Sequence, residues 1–128
     1  MLSFSASVKI FVCTVATDMR KSFNGLSMLA REQMGGDPLS GHLFLFTNRR
    51  RNLLKILYWD ADGFAIWYKR LEEGTFAIAF DETSRDDVQE EPRRIELTAT
   101  QLAMLLGGVG LARTKKRKRF ELSRKKSN

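Results

Sequence analysis

The sequence predicts an α+β domain: an antiparallel β-meander packed by one N-terminal helix and a short C-terminal helix, with a disordered basic tail. Three observations lead there. Residues 42–80 hold short apolar runs rich in Phe, Leu, Ile, Trp and Tyr, separated by turn residues. Stretches with helical spacing flank those runs on both sides. Charge supplies the third. Of 22 Lys+Arg and 15 Asp+Glu in 128 residues, nine cations and one anion lie in 113–128, which leaves 13 against 14 before them. The boundary therefore falls between a near-neutral domain, 1–112, and a cationic appendix, 113–128. Such a block repels itself, buries little and is expected to be disordered when free.

In chain order, Val8, Ile10 and Val12 alternate with Lys9 and Phe11, the period of a strand. Thr17-Asp18 offers a helix N-cap. Met19, Phe23, Leu26, Ala30 and Met34 then form a helical stripe that Gly35-Gly36 ends, predicting a helix over 19–34 with Gly25 as its weak point. Asp37-Pro38 turns the chain out. Strands are expected at 42–46, 53–59, 64–71 and 75–80. The turn before the second contains Arg49-Arg50-Arg51, and the loop before the third, Asp60 to Gly63, places Gly63 where a positive φ is expected. Residues 81–94, DETSRDDVQEEPRR, are acidic and lack an apolar period, so they read as an exposed connection. Thr98 with Gln101 three residues later is a capping box, opening a short helix to Leu106 that Gly107-Gly108 closes.

Several function classes fall away on composition. A single cysteine, Cys13, forms no internal disulfide, and one Cys with one His cannot supply a four-ligand zinc site. Leu97 to Ala112 is interrupted by Thr, Gln and Gly and is too short to span a bilayer, and the start lacks a basic leader region. A cytoplasmic, nucleoid-associated location is expected. Neither GxxxxGK[ST] nor Gly-x-Ser-x-Gly occurs. Asp18, Asp60 and Asp62 could be imagined around a divalent cation, but a helix cap and two turn residues explain them. No catalytic residue, cofactor or metal is expected.

The candidate binding residues are cationic. If Trp59 pairs with Phe64, Lys55 lies opposite Tyr68; if Phe46 then pairs with Leu53, one sheet face shows His42, Phe44, Lys55, Tyr68 and Arg70. The other face carries Leu43, Leu45, Leu54, Ile56, Tyr58, Ala65 and Trp67, with Lys69 near its edge, and is expected to meet the helix. The first face mixes rings with cations, as nucleic-acid platforms do, because rings stack on bases and cations track phosphates. Read without a ligand, the same pattern is a core with cations at its rim. Arg20 and Lys21, in the first turn of the predicted helix, would oppose its dipole unless an anion sat there; otherwise they reach solvent or pair with acids. Arg49, Arg50 and Arg51 are either a phosphate contact or an exposed turn. In the tail, Lys115, Lys116, Arg117, Lys118 and Arg119 suit sequence-independent attraction to phosphates.

Five ordered blocks resemble one known family. They are Thr17-Asp18-Met19-Arg20-Lys21-Ser22-Phe23-Asn24-Gly25-Leu26, Asp37-Pro38-Leu39-Ser40-Gly41-His42-Leu43-Phe44, Lys55-Ile56-Leu57-Tyr58-Trp59-Asp60, Tyr68-Lys69-Arg70-Leu71-Glu72, and Leu97-Thr98 with Gln101 to Leu106. Together, over about residues 8–111, the chain resembles the accessory protein TnpB, the second open reading frame protein, of the insertion sequence 66 family of bacterial transposons. It is distinct from the RNA-guided nuclease of that name. The resemblance implies a non-catalytic protein needed for efficient transposition, with transposon DNA or the transposase of the same element as partners. The alternative is a pure protein-interaction module, whose aromatic sheet face meets the transposase or a second copy of the chain without direct DNA binding. The chain departs from the family where many relatives carry a GRRGD-like turn and it reads Asn48-Arg49-Arg50-Arg51-Asn52. Its basic tail and its acidic connection are also longer.

Overall fold

The computed structural model describes residues 5–80 and 92–107. In chain order the elements are β1 (Ile10–Cys13), α1 (Phe23–Glu32), β2 (Leu43–Thr47), β3 (Leu53–Asp60), β4 (Gly63–Arg70), β5 (Arg94–Leu97) and α2 (Ala99–Gly107). They form one five-stranded sheet in the order β4-β3-β2-β1-β5 with two helices, an α+β fold. The β2-β3-β4 part is the expected antiparallel meander. By contrast, β1 runs parallel to β2, because α1 carries the chain back across the sheet between them.

Two strand assignments are corrected. Residues 75–80 are not a strand: Phe76 and Ile78 are buried and Ala77 and Ala79 exposed, so the alternation is real. It arises because the segment lies over one sheet face with every second side chain pressed into it, tied by the Phe76 N–H to the Arg51 carbonyl at 2.7 Å. The fifth strand is instead 94–97, antiparallel to β1 with Cys13 opposite Arg94 and Ile10 opposite Leu97. Only Leu97 of β5 is buried, while Ile95 on the same face stays exposed, so this edge strand offers only one short apolar alternation after a run of charges. Most of the acidic connection, 81–91, and the cationic tail lie outside the described residues.

The sheet is covered on both faces, which is why β2 reads as an unbroken apolar run, Leu43–Thr47, buried throughout. On one face Phe11, Cys13, Phe44, Phe46 and Leu57 pack beneath Leu26 and Ala30 of α1 and Met34 just after it. On the other, Ile10, Val12, Leu43, Leu45, Leu54, Ile56 and Leu97 meet Phe76, Ile78 and, from α2, Leu102 and Leu105. The face expected to receive α1 is thus covered by α2 and the 76–80 segment. The face expected to lie open as an aromatic–cation platform is covered by α1.

The helix boundaries follow local hydrogen bonding. The α1 helix begins at Phe23, four residues after the expected start, because Asp18 closes a separate turn. Its carboxylate accepts the Arg20 N–H at 2.9 Å and its carbonyl the Lys21 N–H at 3.1 Å. At the other end Gly35 takes φ +64°, and the Gly36 N–H returns to the Ala30 carbonyl at 2.9 Å. Gly36 lies so close to Phe44 that an added Cβ would stand 2.6 Å from the ring. The capping box of α2 forms in both directions: Gln101 N–H donates to Thr98 Oγ1 at 3.0 Å, and Thr98 N–H donates to Gln101 Oε1 at 2.9 Å.

Register agrees with expectation at Trp59–Phe64 and Lys55–Tyr68, but Phe46 lies opposite Lys55 and not Leu53. The turn is wider than expected, with residues 48–53 outside the β2–β3 ladder, because Asn48 Oδ1 accepts the N–H groups of Asn52 and Leu53 at 3.1 and 3.0 Å and holds them in a loop of their own. The shift is two residues, so the two sets of side chains keep their faces. In the β3–β4 hairpin the positive φ falls on Ala61 (+60°), correcting the placement at Gly63, because Asp60 and Gly63 are already a ladder pair.

Candidate nucleic-acid interface

Topology gathers most of the candidate cations of the domain at one end of the sheet. Because β1 and β2 are parallel, the segment after β1, with Arg20 and Lys21, leaves the sheet where β2 enters its turn; the Thr17 N–H donates to the Thr47 carbonyl at 2.8 Å. That turn carries Arg49, Arg50 and Arg51. The antiparallel ladder returns β4 to the same end, Arg70 opposite Leu53 and Lys69 opposite Leu54. The start of β5 arrives there too, with the Arg93 carbonyl accepting the Thr14 N–H at 3.1 Å. Among the described residues, Asp18, Glu72 and Glu73 are the acids nearby. The opposite end holds Asp60 and Asp62 in the β3–β4 hairpin and Asp37 in the loop before β2, with Lys9 as a cation beside the start of β1. Charge is therefore polarised along the strands.

These cations are held differently. Arg20 grips Asp18, its Nε 3.1 Å from each carboxylate oxygen and its Nη2 2.8 Å from Oδ2, while its side chain is 92 % exposed. Hydrogen bonding from Arg20 holds the Asp18 carboxyl at about 2, below its ordinary value. Lys21, Arg49 and Arg50 are exposed. Arg70 pairs with Glu72 at 2.7 Å, also on the surface. Lys69 is half-buried.

Arg51 and Lys55 do structural work. Arg51 adopts φ +60°, its Nη1 donates to the Ile78 carbonyl at 3.0 Å, and its guanidinium stands 5.0 Å from the Phe80 ring centre. It is a strut between the turn and the 76–80 segment. Lys55 is buried, with Nζ donating to the carbonyls of Met19 and Lys21 at 2.9 and 2.8 Å and lying 4.7 Å from the centre of the Tyr68 ring. It pins the 19–21 segment to the sheet and so orients Arg20 and Lys21. Arg94, expected in the acidic connection but found at the start of β5, is similarly engaged: its Nη1 donates to the Met34 carbonyl at 3.1 Å, and its guanidinium covers Phe11 at 4.6 Å. Its neighbour Arg93 joins the cationic end. The signal that could have found both is the Arg-Arg pair itself, standing just before an alternating Ile95-Glu96-Leu97.

The remaining chemistry-bearing residues do not converge. His42 Nδ1 accepts the Lys9 N–H at 3.0 Å at one end of β1. Cys13 is buried at the other end, where burial pushes its thiol pKa upward. Asp60 and Asp62 stay in their hairpin, distant from Asp18. Among the described residues no group of three His, Cys, Asp or Glu could hold a metal ion, and no helix is long and apolar enough to cross a membrane.

The sequence profile of a protein family described as "IS66 Orf2 like protein" matches residues 8–116. The chain is similar to two Sinorhizobium fredii (strain NBRC 101917 / NGR234) proteins. It is 32% identical to the uncharacterized protein y4hO over 109 residues, covering 85% of this chain and 87% of that one. It is 36% identical to the uncharacterized protein y4jC over 76 residues, covering 59% and 65% respectively. No solved structure matches the chain.

Proposed function

Because the chain belongs to the IS66 Orf2-like family, we propose that it is a non-catalytic accessory protein of DNA transposition. In this reading it grips DNA at the cationic end of its sheet and works beside the transposase of its element. The observation that carries the DNA reading is the polarised charge: Arg20, Lys21, Arg49 and Arg50 project from two adjoining loops at one end, while Asp37, Asp60 and Asp62 occupy the other. A duplex approaching the acidic end is repelled, so the charge pattern orients the encounter as well as favouring it. Arg93, Lys69 and Arg70 flank the two loops. The tail, 113–128, with Lys115, Lys116, Arg117, Lys118 and Arg119, adds attraction without orientation.

Backbone contacts of this kind release counterions, so affinity falls with salt in proportion to the phosphates neutralised, with about 0.9 of a logarithmic unit of slope per contact. Arg49→Ala with Arg50→Ala is expected to flatten the slope by roughly two units while leaving the melting temperature in place. Deleting 113–128 is expected to flatten it further. Unchanged binding by both variants would remove the reading.

A second reading, a transposase-docking module without DNA contact, is favoured by one observation: Phe23 and Met28 of α1 are 44 % and 50 % exposed. Retention of the transposase in high salt, with no DNA retained in low salt, would select it.

A further inference from the structure

The two edges of the sheet are unlike. At one, β5 is four residues long and charged. At the other, β4 is eight residues long, Gly63–Arg70, and among the described residues no strand pairs with its outer side. Antiparallel ladders alternate, and the Leu71 N–H reaches the Asn52 carbonyl of the β3 side at 2.8 Å. Counting back by twos along the register, Lys69, Trp67, Ala65 and Gly63 face β3 with their backbone groups. Phe64, Ile66, Tyr68 and Arg70 turn theirs outward. A long edge with free donors and acceptors is a template for another strand, and it lacks the bulges, prolines and central charges that usually blunt one.

We propose that the occupant of this edge is a second copy of the chain, its β4 pairing antiparallel with Ile66 opposite Ile66. The strand selects that partner by its own charge. Its C-terminal end carries Lys69 and Arg70, and the hairpin at its N-terminal end carries Asp60 and Asp62. Antiparallel pairing brings each basic end to the other copy's acidic end twice, whereas parallel pairing brings like to like. Centred on Ile66, the register sets Arg70 opposite Asp62 of the second copy, and Phe64 opposite its Tyr68. Trp67 then falls opposite its Ala65, a large side chain against a small one. Shifted so that Tyr68 meets Tyr68, the register puts Arg70 opposite Ile66 and loses the charge match. Pairing also covers Tyr68, a residue 53 % exposed in the single chain. Arg70 keeps Glu72, two residues on in its own chain, and gains an acid across the seam.

The two-fold axis stands perpendicular to the sheet, so the cationic ends of the two copies point in opposite directions. A dimer then carries two DNA grips, a consequence that rests on the DNA reading above; the pairing itself does not. The test is the solution mass of the full chain without DNA, by sedimentation at low salt over a concentration series, so the failure of either idea is read separately. Wild type is expected to sediment as a concentration-dependent dimer. Ile66→Pro, which removes an outward N–H without touching the β3 ladder, is expected to be monomeric. Asp62→Arg and Arg70→Asp are each expected to weaken self-association roughly tenfold, because each mismatch occurs twice across the axis, and the double variant to restore it. A wild type that stays monomeric up to its solubility limit, or a double variant no tighter than either single one, would overturn the pairing.

Discussion

Replacing Lys55 with Met keeps the length and most of the volume of the side chain while removing its ammonium. In the structure that ammonium donates to the Met19 and Lys21 carbonyls at 2.9 and 2.8 Å and faces the Tyr68 ring from inside the fold. Hydrogen bonds that involve a charged group contribute about 1.5–3 kcal/mol each. Against that stand two offsets. The 19–21 carbonyls lie on an exposed segment and can turn to water, and a charge no longer has to be taken out of water. The net loss is therefore expected to be about 1–2 kcal/mol, or a fall of several degrees in Tm for a domain of this size. Urea and thermal unfolding of Lys55→Met beside wild type measure it directly. The same variant separates two roles for Lys55. A pinning residue leaves the number of phosphate contacts it makes itself at zero, so the salt slope of DNA binding should not fall by a unit on its account. A variant as stable as wild type, with a slope reduced by about one, would refute the pinning argument and make Lys55 a phosphate contact after all.

Three further perturbations probe the geometry. Arg51→Gly relieves a left-handed backbone but loses the contacts to Ile78 and Phe80, whereas Arg51→Ala loses the contacts and keeps the strain; the glycine variant should be the more stable by about 1 kcal/mol in chemical denaturation. Gly36→Ala drives a methyl into the Phe44 ring and should destabilise by about 1–3 kcal/mol, seen as a lower urea midpoint with an unchanged m-value. For Asp18 the folded carboxyl lies below its ordinary value of 3.8, at about 2. Its small contribution is thus present above pH 4 and is lost as pH falls toward 2. A carboxyl-resolved NMR titration should find the low midpoint, and Arg20→Met should raise it while leaving it below the ordinary value, because the backbone N–H of residue 20 still donates to the carboxylate.

Features set by neighbours in sequence were legible in the chain. The Thr98–Gln101 box, the Gly35-Gly36 stop after α1 and the two-residue hairpin that pairs Trp59 with Phe64 all depend on groups a few residues apart, and all form. Alternation in β2 and β3 sorted side chains onto two faces correctly even where the register was displaced, since a two-residue slip preserves the pleat. Segment 75–80 shows where that logic fails. Period-two burial reports that alternate side chains are covered, and a loop lying flat on a sheet satisfies it as well as a strand does.

Composition and local spacing by themselves determined that this protein has one α+β domain's worth of apolar residues, where its turns and caps lie, and that its candidate ligand contacts are cations. Which helix covers which face, that β1 runs beside β2 in parallel, and that Arg94 begins a strand were decided by contacts between residues distant in the chain, such as Ile10 with Leu43 and Ile10 with Leu97. The same long-range pairing separates Lys55, drawn inward by two backbone carbonyls, from Arg49 and Arg50, left in water at the tip of a turn. An isolated lysine and an isolated arginine look alike in a sequence. Only the packing around them determines whether the charge serves the fold or stays free for a partner.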